Sequence, residues 1–156
     1  MATVPHTIPI QQNLMRSSQK MKADRILIFS PDADLAVSLK LLLEVCCEVV
    51  IETRLERLEG RMRETPPSYL LVDLFSTAQD GLKQLQFLER LEIAVPVILL
   101  RTYRSSAAID EAIKNLRAYV FYKPVNVETV VELIHELQNR RKASGERGTQ
   151  QKTTSR

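Results

Sequence analysis

Short apolar runs alternate along this chain with longer stretches in which leucine, isoleucine and valine recur every three or four residues. "RILIFS" (25–30), "CEVVIET" (47–53), "YLLVDLF" (69–75), "VPVILL" (95–100) and "YVFY" (119–122) are continuous, short, and rich in β-branched or aromatic residues, which predicts strands. After the first of them, Leu35, Leu39, Leu42 and Leu43 keep helical spacing, with Asp32 or Asp34 placed to cap the helix. "RLERLEGRMRET" predicts a short charged helix that "PPSY" ends, because proline cannot continue one. "DGLKQLQFLERLE" repeats leucine at helical spacing, and "SSAAIDEAIKNLRA" predicts a helix capped by serine. "NVETVVELIHELQNRRK" predicts a last helix capped by Asn126, with Val130, Val131, Ile134 and Leu137 on one face and His135 off it.

Strand and helix therefore alternate five times. Strands apolar on both faces require cover on both sides, which means a parallel sheet between helical layers. The pattern predicts an α/β fold, a flavodoxin-like (βα)5 doubly wound parallel sheet of strand order 2-1-3-4-5. It occupies residues 23–142, preceded by a flexible N-terminal arm (1–22) without periodicity and followed by a disordered basic tail (143–156).

Charge sharpens that division. Arg16, Lys20 and Lys22, with no acid, give residues 1–22 a charge of +3; six basic residues against Glu146 give residues 139–156 a charge of +5. The whole chain carries only +3, so the fold between these ends is at −5 and is not a nucleic-acid surface by charge. No apolar run approaches the ~20 residues of a membrane helix, and the N-terminus lacks the apolar segment of a secretory signal; cytoplasmic residence is the expectation. Cys46 and Cys47, the only cysteines, form neither a disulfide framework nor a zinc site and read as small buried residues at a helix end. With four glycines and no phosphate-cradling loop, no hydrolase or redox constellation is legible; the chain reads as other than an enzyme.

In a doubly wound sheet, function gathers at the C-terminal tips of the strands. Those tips carry Ser30-Pro31-Asp32, Asp73, Arg101-Thr102 and Lys123-Pro124. An acid directly after "YLLV" would be costly if buried unpaired, and a lysine or arginine from a neighbouring strand is its natural partner. Such a cluster is either a satisfied ion pair or a carboxylate flanked by cations that stabilise added negative charge.

On these residues the chain resembles, over about 24–138, the response-regulator receiver domains of two-component signalling. "LLVDLFSTAQDGL" is similar to the segment holding the phosphoacceptor aspartate, here Asp73, followed by the loop residues Asp80 and Gly81. "YKPV" is similar to the Lys-Pro that closes the fifth strand, where the peptide bond is commonly cis. The resemblance implies a phosphoacceptor position at Asp73, with Lys123, Arg101 and Thr102 as phosphate or charge partners.

Three departures accompany it. The paired Mg²⁺-holding acids fall on Ser30 and Pro31, a degenerate metal site completed by Asp32, whose expected role is helix capping. The Ser/Thr of the fourth strand falls on Arg101, 22 residues before Lys123, where a planar two-point contact with Asp73 is expected. The aromatic position of the fifth strand falls on Val120, flanked by Tyr119, Phe121 and Tyr122. The reading is an atypical, stand-alone receiver, a pseudo-receiver that signals through protein–protein contacts without ordinary Mg²⁺-dependent phosphorylation and without a cofactor. Its alternative is a working receiver phosphorylated on Asp73 by a histidine kinase or phosphotransfer protein, with Mg²⁺ on Asp73 and Asp32. The partner, a kinase, an effector or a second copy, is expected on the face of the fourth helix, fifth strand and fifth helix, through Arg104, Tyr119, Phe121 and Tyr122. Neither a membrane nor a nucleic acid is an expected partner.

Overall fold

The structure, a computed structural model, describes residues 24–103 and 106–150, and of 146–150 the backbone alone. The expected arm (1–22), Arg104 and the end of the expected tail (151–156) lie outside the described residues.

Strands β1 (Arg25–Phe29), β2 (Glu48–Glu52), β3 (Tyr69–Asp73), β4 (Val97–Arg101) and β5 (Tyr119–Tyr122) form one sheet, parallel throughout, in the order β2-β1-β3-β4-β5. The helices are α1 (Ala33–Leu43), α2 (Leu58–Glu64, entered through a 3₁₀ turn at Leu55–Arg57), α3 (Ala78–Arg90), α4 (Ala107–Leu116) and α5 (Val127–Gln150). This is the α/β order that the alternation of periods predicted.

Side chains alternate across a strand, and here the alternation divides the core in two. Ile26, Ile28, Tyr69, Leu71, Ile98 and Leu100 pack with Leu39, Leu43, Val130 and Ile134 beneath α1 and α5. Leu27, Phe29, Leu70, Val72, Val97 and Leu99 pack with Leu85, Leu88, Ile109 and Ile113 beneath α3 and α4. Every residue of β3 and β4 is buried; fully burying each Leu, Ile or Val contributes about 1.5–3 kcal/mol, so the central strands anchor the tips at which the polar residues stand.

Caps follow local chemistry. Asp32 Oδ1 accepts from the N–H groups of Asp34 and Leu35, both at 3.1 Å, so Asp32 rather than Asp34 caps α1. Asn126 Oδ1 accepts from Glu128 N–H at 3.1 Å. Ser106 holds the N-cap position of α4, but its side chain makes no capping bond, contrary to the expectation of a serine cap. Asp80 and Gly81, expected in a loop, belong to the first turn of α3, where Thr77 Oγ1 accepts from Asp80 N–H and donates to the Asp80 carboxylate. A Cβ on Gly81 would stand 3.2 Å from the Phe75 carbonyl, so this close approach favours glycine.

Two elements depart from the sequence pattern. Leu42, placed on the helical stripe of α1, is half exposed, because the buried row is Ala36, Leu39 and Leu43. Helix α5 continues past Lys142 to Gln150, where composition suggested disorder. Alanine, glutamate, arginine and glutamine are good helix formers, Arg140 pairs with Glu136 one turn away, and Ser144 Oγ donates to the Arg140 carbonyl at 3.0 Å.

Candidate functional site

Ser30 follows β1 and is fully buried. Its hydroxyl donates to Asp73 Oδ2 at 2.8 Å and accepts from Asp32 N–H at 3.1 Å. Asp73, 3% exposed at the end of β3, meets the Lys123 ammonium with its other oxygen, Oδ1. That oxygen has no hydrogen-bond partner besides this ion contact. Lys123 is positioned by its backbone N–H, which donates to the Arg101 carbonyl at 2.8 Å and so carries the β4–β5 pairing one residue further. The Lys123-Pro124 bond is cis.

The three residues converge because they share a phase. Ser30 continues Ile26 and Ile28, Asp73 continues Tyr69 and Leu71, and Lys123 continues Tyr119 and Phe121; all belong to the α1/α5 side. Arg101 has the opposite phase. It continues Val97 and Leu99 onto the α3/α4 side, so the expected contact with Asp73 is absent. Its Nη1 instead donates to Asp110 Oδ1 on α4 at 2.7 Å, and its Nε donates to the Thr102 carbonyl at 3.3 Å. The guanidinium, 5% exposed as a residue, lies 5.6 Å from the centre of the Tyr122 ring. Tyr122 in turn stacks on Tyr103 at 4.4 Å, with their planes 13° apart.

The aromatic residues of β5 thus divide. Tyr122 is 42% exposed and carries the outward stack, whereas Tyr119 and Phe121, expected on a partner face, are half-buried against the core beneath α5. Thr102 lines a cleft of about 490 Å³ together with Arg101, Ser76, Thr77 and Ser106. Pro31 is exposed and contributes no donor side chain. Among the described residues no three of His, Cys, Asp and Glu come together as metal ligands.

Gln84 was missed by sequence reasoning. It is fully buried on α3; its Nε2 donates to the Asp73 carbonyl at 3.0 Å and its Oε1 accepts from Phe75 N–H at 2.8 Å. One side chain thereby fixes the backbone on both sides of Leu74, where the chain leaves β3. The signal was present: Gln84 lies between Gly81 and Leu88 on the buried face, a polar residue in an apolar row. Asp110 gave no such signal, since an acid in the first turn of a helix is ordinary.

Burial also settles the thiols and one carboxyl. Burial pushes the Cys47 thiol up to about 12, helped by Cys46 and by the charge of Asp24; Cys46 moves the same way, mainly through burial. Both stay protonated near neutrality, as suits packing residues. Burial raises the Glu52 carboxyl, but bonds from Arg54 and Thr53 N–H and the Arg61 guanidinium outweigh it, and the net direction is down.

Solved structures similar in fold are numerous. A CheY-like response regulator receiver domain from Methanospirillum hungatei is similar over 79% of this chain and 99% of its own, with a TM-score of 0.66 and 23% identity. The fold is that of a receiver domain. A two-component response regulator from Clostridium difficile (75% and 97% covered, TM-score 0.64, 18% identity) and the receiver domain of a Francisella response regulator (75% and 98%, 0.63, 19%) agree with it. No family model matches the sequence, and no curated protein matches it either. On the receiver fold, the tips of β1, β3, β4 and β5 are where this chain gathers Ser30, Asp73, Arg101 and Lys123.

Proposed function

We propose that this protein is an atypical receiver-type signalling module that acts through protein–protein contacts without ordinary Mg²⁺-dependent phosphorylation. One observation carries the reading: both oxygens of Asp73 are engaged by the chain's own side chains, Oδ2 by Ser30 and Oδ1 by Lys123. Mg²⁺ binds through one or two carboxylates with several waters retained. Here it would find a single buried carboxylate with an ammonium already against it. Asp32, two residues after Ser30, is turned onto the N–H groups of α1. These residues do not fit the metal, and phosphoryl transfer depends on such charge neutralisation.

The signalling contact belongs to the face of α4, β5 and α5. The stacked Tyr103 and Tyr122, 77% and 42% exposed, supply the aromatic surface that favours association there. The partner is a signalling protein or a second copy of the chain.

A second reading, phosphorylation of Asp73 by a histidine kinase or phosphotransfer protein, is favoured by the partly exposed Lys123 beside buried Asp73, since its ammonium could balance the charge of a phosphoryl group. The test is incubation with acetyl phosphate and Mg²⁺ followed by intact-mass measurement. No adduct is expected. One phosphoryl added to the wild type and lost in Asp73→Asn would install the second reading.

A further inference from the structure

The exposed large aliphatic residues among those described are Val37, Leu41, Leu42 and Val45. All four belong to α1 or the turn after it, and Val37, Leu41 and Val45 recur every fourth residue, forming one stripe. Leu42 and Val45 extend the stripe into a groove against Val127 and Val131 of α5, with Glu128 and Glu132 along it. A contiguous apolar surface with an acidic border calls for a covering partner.

The chain supplies a matching segment. Residues 1–22 hold Ile8, Ile10, Leu14 and Met15, together with Arg16, Lys20 and Lys22 and no acid. The described chain begins at Asp24, whose carbonyl accepts from Glu48 N–H at 2.8 Å and whose charge acts on Cys46 and Cys47, immediately after α1. Asp24 is also paired with Arg141 of α5 at 2.9 Å. The preceding segment therefore joins the fold beside both helices that border the groove. From Val37 to Val45 the stripe is only about 12 Å long at helical rise, and 22 residues can extend roughly 70 Å.

We propose that residues 1–22 cover the α1 stripe and its groove with α5, their apolar side chains on Val37, Leu41, Leu42 and Val45 and their basic residues against Glu128 and Glu132. Because the segment is tethered, its effective concentration is high and modest contacts suffice.

The test uses the full chain. Carbodiimide, which joins amines to carboxylates in direct contact, is expected to link Lys20 or Lys22 to Glu128 or Glu132 within one molecule, with the link lost in the double variant Glu128→Gln/Glu132→Gln. In methyl NMR, Ile10→Asp/Leu14→Asp is expected to shift Leu41, Leu42, Val45 and Val131, leaving Leu70 and Leu99 in place. Links found only between labelled and unlabelled copies would overturn the proposal in favour of a second copy. Absent links together with unmoved methyl signals would overturn it outright. Neither readout depends on whether Asp73 accepts a phosphoryl group.

Discussion

Replacing Ser30 by aspartate puts a second carboxylate where the hydroxyl now lies, 2.8 Å from Asp73 Oδ2. Two effects add. The bond to a charged acceptor, worth about 1.5–3 kcal/mol, is lost. Two negative charges about 4 Å apart at an effective dielectric constant of about 20 repel by roughly 4 kcal/mol. Lys123 and the sharing of a proton relieve part of that repulsion, so Ser30→Asp is expected to lose about 3 kcal/mol at pH 7, a large share of the 5–15 kcal/mol typical of a domain. The repulsion raises the folded-state pKa of one carboxyl; the penalty is present above that pKa and fades as pH falls through it. Metal reverses the sign. The variant offers two carboxylates, and Mg²⁺ at about ten times its dissociation constant would return roughly 1.4 kcal/mol. Urea unfolding of wild type and variant, with and without Mg²⁺ at pH 5 and 7, measures all of this. If the wild type gains as much from Mg²⁺ as the variant, the engagement of Asp73 by Ser30 and Lys123 does not exclude the metal, and the reasoning fails.

Asp110→Ala should cost more than Arg101→Met, about 3 against about 1 kcal/mol by urea unfolding, because the first removes the carboxylate from a buried guanidinium while the second leaves a half-exposed, hydrated carboxylate. Gln84→Ala should lose about 2–4 kcal/mol in the same assay, since it strips bonds from the Asp73 carbonyl and the Phe75 N–H; Gln84→Glu should recover only the latter bond. Stability should fall as pH rises from about 9 toward 12, read as the urea midpoint. Burial pushes both Cys47 and Tyr69 up to about 12, with the charge of Asp24 adding to each, whereas in the unfolded chain they ionise near 8.5 and 10. A midpoint flat to pH 11 would contradict this.

The five strands were legible because each is a short run apolar on both faces, and Asp73 stood out as the acid that ends the most buried of them. Asp32 was legible as a cap from its place before Leu35 and Leu39. Misplacing Arg101 had a specific physical cause. Proximity of strand tips does not suffice for contact: an arginine in phase with Leu99 emerges on the opposite side of the sheet from an aspartate in phase with Leu71. That alternation was in the sequence. The partners across the sheet were not: that Asp110 of α4 would receive Arg101, and Tyr103 would stack on Tyr122, depends on how helix and loop fold back.

The alternation of phase also makes the sheet an insulating wall between two charge compartments. On one side Ser30 and Lys123 meet at Asp73; on the other, Asp110 and Tyr122 meet at Arg101. The backbone bond from Lys123 N–H to the Arg101 carbonyl is the seam between them. That seam therefore gives a change of charge at Asp73 a main-chain route toward α4, by displacement of the backbone that Lys123 and Arg101 share.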